Sequence, residues 1–266
     1  MMDWARKSGL PGGERVRHVD AWVDGIRLAD VGPVLIQQVT ETPPEMELAY
    51  GTRPGRPGRD VVTNRRRALR VTIDAVVREL YDLPRRTQAA EAIAKWARGS
   101  VLELSSRPGE FLRVINRAVP TLGQIRDYTA ALKIEFEADE IPYWQSKSEI
   151  TASETGATGS FGISIPGTAE NIPVGFIFTP TGTLNNLTVS VGDTSITLSG
   201  LNIDGAVVVD YDEAGRIRIK TGNTSLLGYR TSLSSDYLAA NGGSADITWS
   251  ANVSGTLTVK ARGWYA

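Results

Sequence analysis

Alternating apolar and polar residues predict a long strand between Tyr128 and Ala138. One side of this run carries Leu132, Ile134, Phe136 and Ala138, and the other carries Lys133, Glu135, Glu137 and Asp139. Because successive side chains of a strand point to opposite faces, the pattern predicts a strand with one buried and one charged face. Pro142 has no N–H for a ladder, so it ends the pairing. The strand therefore closes a domain just before Trp144.

The rest of the first half predicts a sheet with one helix. Asp24-Gly25 between alternating residues is a hairpin signal, because both central residues of a type I′ turn need positive φ. Apolar residues recur every three or four positions between Pro84 and Gly99, which predicts an amphipathic helix with Thr87 near its start and Gly99 as its left-handed cap. Further strands are predicted at Val34–Val39, Leu69–Val77, Val101–Ser105 and Phe111–Val119.

The sequence of the second half predicts short strands separated by turns such as Thr181-Gly182, Gly192-Asp193 and Asp204-Gly205. Strands at this regular spacing predict an all-β sandwich or jelly roll. The candidates are Val174–Thr179, Leu187–Val191, Thr194–Leu198, Ala206–Asp210, Arg216–Lys220, Ala245–Ser250 and Thr256–Ala261.

Charge density places the boundary between the two halves. Of the first 144 residues 42 are charged, against 17 of the remaining 122, so the composition changes near Trp144. We therefore expect a polar lead-in at 1–18, a first domain at 19–144, a linker with an entry strand at 145–162, and a second domain at 163–266. The predicted fold class is an α+β domain, a mainly antiparallel sheet or split barrel with one helix, followed by a galectin-like or jelly-roll β-sandwich.

The composition excludes several classes of protein. The chain has no cysteine, so disulfides, thiolate metal sites and cysteine nucleophiles are absent. The formal net charge of −1 gives no overall attraction to nucleic acid or to a membrane. No apolar run approaches the ~20 residues that span a bilayer, and the N-terminus lacks the apolar core of a signal peptide. We expect a protein made in the cytoplasm, without membrane contact.

No constellation of residues predicts catalysis, a cofactor or a metal. His18 is the only histidine, and an exposed position explains it better than a triad does. The run from Asp210 to Gly215 starts like a calcium loop, but Ala214 stands where a third oxygen ligand belongs and Thr221 stands where the closing bidentate Glu belongs. The prediction is a protein that is not an enzyme.

A cluster of arginines is the strongest candidate for binding. Seven arginines and one acid, Asp60, lie between Thr52 and Arg70. The repeated Arg-Pro-Gly unit predicts an exposed, extended loop with Arg53, Arg56 and Arg59 at its centre. No aromatic residue lies among these arginines to stack on bases, which favours a protein partner over nucleic acid.

A set of aromatic residues in the second half offers a second possible surface. They could form a platform for stacking on sugars, although aromatics in small β domains are more often core residues. The set is Trp249, Trp264, Tyr229, Tyr237 and Tyr265.

The order of these elements resembles the distal tail proteins of long-tailed, siphovirus-type bacteriophages. The first half matches in the strand Arg67–Val77, in the helix end Ala92–Trp96, and in the strand Leu102–Leu104 with its turn at Arg107-Pro108-Gly109. It matches most in Leu132–Ala138 followed by Pro142-Tyr143-Trp144. The second half is similar to the family's sandwich at Gly167–Pro173, with Asn171, and at Val207–Asp210.

The resemblance implies a structural protein of the virion tail tip. The first domain would form a ring, hexameric in that family, between the tail-tube protein and the tail hub, with DNA only passing through it. The loop with Arg53, Arg56 and Arg59 would correspond to an arm that embraces the adjacent subunit. The sandwich would point outward to other baseplate or receptor-binding components. An adhesion module that binds host-wall polysaccharide through the sandwich is the alternative.

Overall fold

A computed structural model describes residues 19–44, 46–51, 60–66, 68–212 and 216–265. Nearly all of its strands belong to one continuous antiparallel network, which encloses two separate clusters of buried residues. We call the parts around these clusters the first and the second unit. The expected fold class, a sheet-rich α+β unit followed by a β-sandwich, is confirmed. No helix in the described ranges is both long and apolar enough to cross a membrane.

The first unit is a curved antiparallel sheet with a helix packed on it. Its strands follow the spatial order β2–β1–β7–β8–β10–β6–β3, with β9 beside β10. Their bounds are β1 Ala21–Val23, β2 Ile26–Arg27, β3 Val34–Thr42, β4 Met46–Gly51, β5 Asp60–Arg66, β6 Arg70–Val77, β7 Val101–Leu104, β8 Glu110–Asn116, β9 Thr121–Leu122 and β10 Ala130–Ala138; the helices are α1 Leu28–Val31 and α2 Leu83–Trp96.

Strand β10 has the alternating burial that its sequence predicts. Leu132, Ile134 and Phe136 are buried, while the residues between them face outward. The strand lies between β6 and the β8/β9 pair, and the Phe136 ring meets the Trp96 ring of α2 edge-on at 6.0 Å. The indole N–H of Trp96 also donates to the carbonyl of Ile26 at 2.7 Å, so the helix is bonded to the first hairpin.

The first hairpin and the helix differ in how well their sequences predicted them. Asp24 and Gly25 both have positive φ between β1 and β2, as a type I′ turn requires. Helix α2 begins before Thr87, because Asp82 caps it by accepting from the N–H of Arg85 at 2.9 Å. The prediction of Gly99 as a left-handed cap was wrong, since Ala97 ends the helix in the right-handed region. A Cβ at Gly99 would lie 2.3 Å from Val23, so this glycine permits a close approach to β1.

The second unit is a sandwich built around two very long strands. Its strands are β11 Trp144–Ile165, β12 Ile172–Pro180, β13 Leu184–Val191, β14 Thr194–Ile203, β15 Val207–Tyr211, β16 Ile217–Thr221, β17 Thr224–Ser225, β18 Ala239–Ala240 and β19 Gly243–Tyr265. β19 pairs with β13 through 247–251 and with β12 through 255–261, and β11 runs along its other edge. One sheet of the sandwich contains β13 and β14, and the other contains β12 and β15. β11 and β19 belong to both sheets and cross between them near Gly156 and Gly255.

The lengths of β11 and β19 differ from what the sequence predicts. Residues 145–162, expected as a linker with an entry strand, lie in β11. Ala245–Ser250 and Thr256–Ala261, expected as separate strands, are parts of β19. The Ser, Thr and Gly residues of β11 hide its length because they give no apolar alternation. At Gly159 a Cβ would lie 2.0 Å from the Trp249 ring, which covers this part of β11.

We expect Phe136→Ala to lower the free energy of unfolding by about 3–5 kcal/mol, because it leaves a cavity at a fully buried position against Trp96. Urea unfolding followed by tryptophan fluorescence measures the change. Lys133→Ala, on the exposed face of the same strand, is the control and should change stability by no more than about 0.5 kcal/mol. Equal effects of the two substitutions would mean that the buried face is wrongly assigned.

Candidate functional site

The hairpin β4–β5 continues the β3–β6 ladder beyond the sheet. Thr42 faces Arg70 at the end of β3–β6, and Met46 faces Arg66 at the start of β4–β5, so the two ladders share one register. Pro43 and Pro44 interrupt them because proline has no N–H to donate. Within the described residues, β4 and β5 pair only with each other. The six-residue ladder adds a projection of about 20 Å, and we call it the arm.

The arm is the place where the sequence predicts a binding surface. Residues 60–66, expected as part of an extended loop, form strand β5. Arg53, Arg56 and Arg59 lie between β4 and β5 but outside the described residues, so their assignment to a subunit interface stays a prediction.

Two pairs of consecutive aromatic residues join the two units. Tyr143 is buried in the core of the second unit, and Trp144 is buried in the core of the first. On the paired strand, Trp264 packs against the second core and Tyr265 against the first. Trp144 faces Tyr265 in the ladder, and the rings of Tyr143 and Trp264 stack with centroids 5.6 Å apart. We call these four residues the aromatic junction.

A charged network holds Trp144 on the side of the first unit. The carboxylate of Glu41 accepts from the indole N–H of Trp144 at 3.0 Å and from the guanidinium of Arg107 at 2.8–3.0 Å. Arg107 also lies 5.1 Å above the Trp144 ring and bonds to Glu110 at 3.1 Å. Burial lowers the pKa of Arg107, but the hydrogen bonds and negative charges of Glu41 and then Glu110 raise it by more. The pKa therefore lies above its ordinary value, and Arg107 stays positively charged.

The sheet itself also runs across the junction. Gln145 and Ser146 of β11 pair with Phe111 and Glu110 of β8, although β11 belongs mainly to the sandwich. Lys147 adds a salt bridge to Glu103 of β7 and donates its backbone N–H to Gly109. Backbone bonds, ion pairs and two cores therefore connect the units, an arrangement suited to holding the sandwich at a fixed angle.

A small apolar patch near the start of α2 is exposed and was missed by the sequence reasoning. Tyr81, Leu83 and Tyr128 are 55%, 71% and 55% exposed, and the two tyrosine rings lie 4.9 Å apart. Asp127, Tyr128 and nearby Glu79 all have positive φ, which is costly for residues with a Cβ. The sequence signal was available in Tyr-Asp-Leu-Pro, where two large apolar residues flank a helix cap.

The other candidates from the sequence separate in the structure. His18 lies outside the described residues. Asp210 pairs with Arg218 and Lys220, and Asp212 pairs with Arg216. These carboxylates are therefore engaged by basic side chains and are not arranged around a metal ion. The described residues contain no group of three or more potential metal ligands.

The predicted aromatic platform does not form as one surface. Trp249 is only 4% exposed and lies in the second core, and Trp264 and Tyr265 take part in the aromatic junction. Tyr229 and Tyr237 remain exposed, on the segment between β17 and β18. Tyr211, from outside the set, bonds to the backbone of Leu238, and its burial raises its pKa to about 12.

Comparison with solved structures shows which known fold this is. The crystal structure of SPP1 Dit, described as a paradigm of the hub adsorption apparatus in phages that infect Gram-positive bacteria, aligns with a TM-score of 0.68 and 16% identity over 92% of this chain and 98% of that chain. The resemblance to distal tail proteins is thus confirmed for the fold. Two structures of the phage P2 baseplate give TM-scores of 0.49 and 0.48 at 10% identity, over 92% of this chain and 98% and 97% of theirs. No protein-family model and no curated protein matches the sequence.

We expect Glu41→Gln to lower the free energy of unfolding by about 1–3 kcal/mol, because Arg107 and the Trp144 N–H lose a charged acceptor. Urea unfolding measures this loss, and Glu154→Gln, an exposed acid on β11, serves as the control that stays near zero. If both variants unfold like the parent chain, the network does not stabilise the junction.

Proposed function

We propose that the chain is a structural protein of the tail tip of a long-tailed phage. The observation that carries the proposal is the fold shared with SPP1 Dit, which extends over 92% of this chain and 98% of that chain. This chain offers features suited to assembly: a projecting arm, a firm junction and an exposed apolar patch. The proposed role is non-enzymatic.

In this proposal the first unit forms a ring, and six copies is the number that we expect. The ring joins the last ring of the tail-tube protein to the tail hub and leaves a channel through which DNA passes. The arm of each copy reaches the next copy, and Arg53, Arg56 and Arg59, which lie between β4 and β5 in the sequence, bind acidic groups there. Arginine suits this contact because its planar guanidinium pairs with carboxylates through two hydrogen bonds at once.

The sandwich, held at a fixed angle by the aromatic junction, points outward in the assembled tail. It would dock other baseplate components or a receptor-binding protein. Its direct recognition of host-wall polysaccharide is the second candidate function, favoured by a cleft of about 380 Å³ in the sandwich whose lining includes Asp210, Lys260 and Trp264.

We expect replacement of residues 46–66 by Asn-Gly to abolish ring assembly while the melting temperature stays within about 3 °C of the parent. The β3–β6 ladder does not need the arm, and Asn-Gly favours the turn that would close it. Light scattering over a range of concentrations, with negative-stain imaging, measures the assembly. Strictly monomeric parent protein at every concentration, with no ring when tail-tube protein is added, would contradict the proposal.

A triple substitution tests the role of the arginines separately. We expect Arg53→Ser, Arg56→Ser and Arg59→Ser together to weaken assembly, because the acidic groups of the neighbouring copy lose their partners, whereas Arg216→Ser in the sandwich should not. The same proteins in a gel-shift assay address DNA. Binding to DNA that falls steeply with salt and is lost in the triple variant would instead assign the arm to nucleic acid.

A further inference from the structure

One long strand edge of the sandwich is left open. The sheet that contains β13 and β14 has the spatial order β14–β13–β19–β11, so β14 and β11 are its two edges. The segment around Thr231 covers the β14 edge, where its N–H bonds the carbonyl of Thr197 at 3.0 Å. Along residues 158–165, by contrast, β11 pairs with β19 and with no other strand of the described residues.

The pairing of β19 shows which backbone groups of β11 point to solvent. Gly192 donates its N–H to the carbonyl of Asp246 at 3.1 Å, so Asp246 directs its backbone groups towards β13. Asp246 faces Gly162 in the antiparallel ladder, and facing residues either bond to each other or both bond outward. The N–H and C=O of Gly162 therefore point away from β19. Every second residue from Thr158 to Ser164 has this orientation, which gives an open edge of about 20 Å.

This edge lacks the features by which proteins protect exposed strands. Such edges commonly carry lysine or proline, are very short, or are covered by a loop. Residues 158–165 contain no proline and no charged residue. The side chains beside the open backbone groups are small and exposed, and a Cβ at Gly162 would meet nothing within 4 Å. An unprotected edge of this kind is a template on which another extended chain can pair.

The charges of the sheet indicate what an added strand would carry. Residues 158–165, 184–203 and 243–251, which form this sheet, contain no lysine or arginine. Asp246 is exposed, and no salt bridge engages it in the described part of the chain. An added strand would lie two strand spacings, about 10 Å, from the backbone of Asp246, and Gly162 puts no side chain between them. A lysine or arginine opposite Gly162 can therefore reach this carboxylate, whereas a second copy of β11 brings no cation.

We propose that the edge of β11 at residues 158–165 binds an extended segment of another protein, which adds to the sheet as an antiparallel strand with a lysine or arginine opposite Gly162. Backbone hydrogen bonds hold the segment, and the cation pairs with Asp246. Apolar side chains on its other face extend the core beside Phe161, which is only partly buried. In the tail-tip role proposed above, the segment belongs to a neighbouring baseplate component, and this last identification alone rests on that role.

Fluorescence anisotropy of labelled peptides with the full chain tests the proposal. The probe is Thr-Val-Thr-Val-Lys-Val-Thr-Val, which places lysine on the threonine face. We expect a dissociation constant of about 0.1–1 mM, and binding weaker by about tenfold when glutamate replaces lysine. Because a residue opposite Gly162 directs its N–H to β11, N-methylation of the threonines and the lysine should abolish binding, and N-methylation of the valines should not.

Three variants of the chain locate the site. We expect Gly162→Lys to weaken binding of the lysine peptide about tenfold or more, because the new ammonium group blocks the edge and engages Asp246. Its melting temperature should not fall, since the added lysine faces an acid in the ladder. Asp246→Asn should weaken binding about threefold. Ser199→Lys, which adds the same charge to β14 at the other edge, is the control and should leave binding unchanged.

Three results would overturn the proposal: no binding of the lysine peptide at about 5 mM, equal binding after N-methylation of its threonines and lysine, or equal loss in Gly162→Lys and Ser199→Lys. Self-association of the parent chain that Gly162→Lys removes, measured by sedimentation, would assign the edge to a second copy instead. Neither the peptides nor the variants require a ring. A chain that forms no ring and still binds the peptide would contradict the tail-tip role alone.

Discussion

A strand sends successive side chains to opposite faces, and at Trp264-Tyr265 of β19 this geometry connects two hydrophobic cores. One ring packs against the core of the sandwich and the next against the core of the first unit, and Tyr143-Trp144 repeats the arrangement where β11 begins. Neither core can shift relative to the other without withdrawing a buried aromatic ring. The orientation of the sandwich is therefore determined by the same burial that stabilises each unit.

Much of the fold was accessible from sequence because alternation and turn chemistry are local signals. The buried face of β10, the Asp24-Gly25 turn and the amphipathic face of α2 all follow from residues close together in the chain. The lengths of β11 and β19 do not. Gly, Ser and Thr residues carry no apolar period, and these strands are held by partners about 100 residues apart.

The site was less predictable than the fold, for a related physical reason. Glu41, Arg107 and Trp144 come together from three distant segments. Arg107 and Trp144 belong to short motifs that the sequence shows, but nothing near them in the chain indicates that they meet Glu41. Gln145 looks like an ordinary polar residue at the start of a Ser/Thr-rich run, and only its burial distinguishes it. The sequence singles out Gly99 as a helix cap, but the structure gives it a different role. The absence of a side chain there allows Val23 to approach closely.

The shared register of the arm and the sheet determines how the arm can vary between related proteins. Because Met46 and Arg66 pair in the phase set by Thr42 and Arg70, residues can be gained or lost in matched pairs without disturbing β3 or β6. A change on one strand alone would need a bulge, or it would turn every side chain beyond it to the other face. The length of the arm can therefore change while the sheet to which it is attached stays the same.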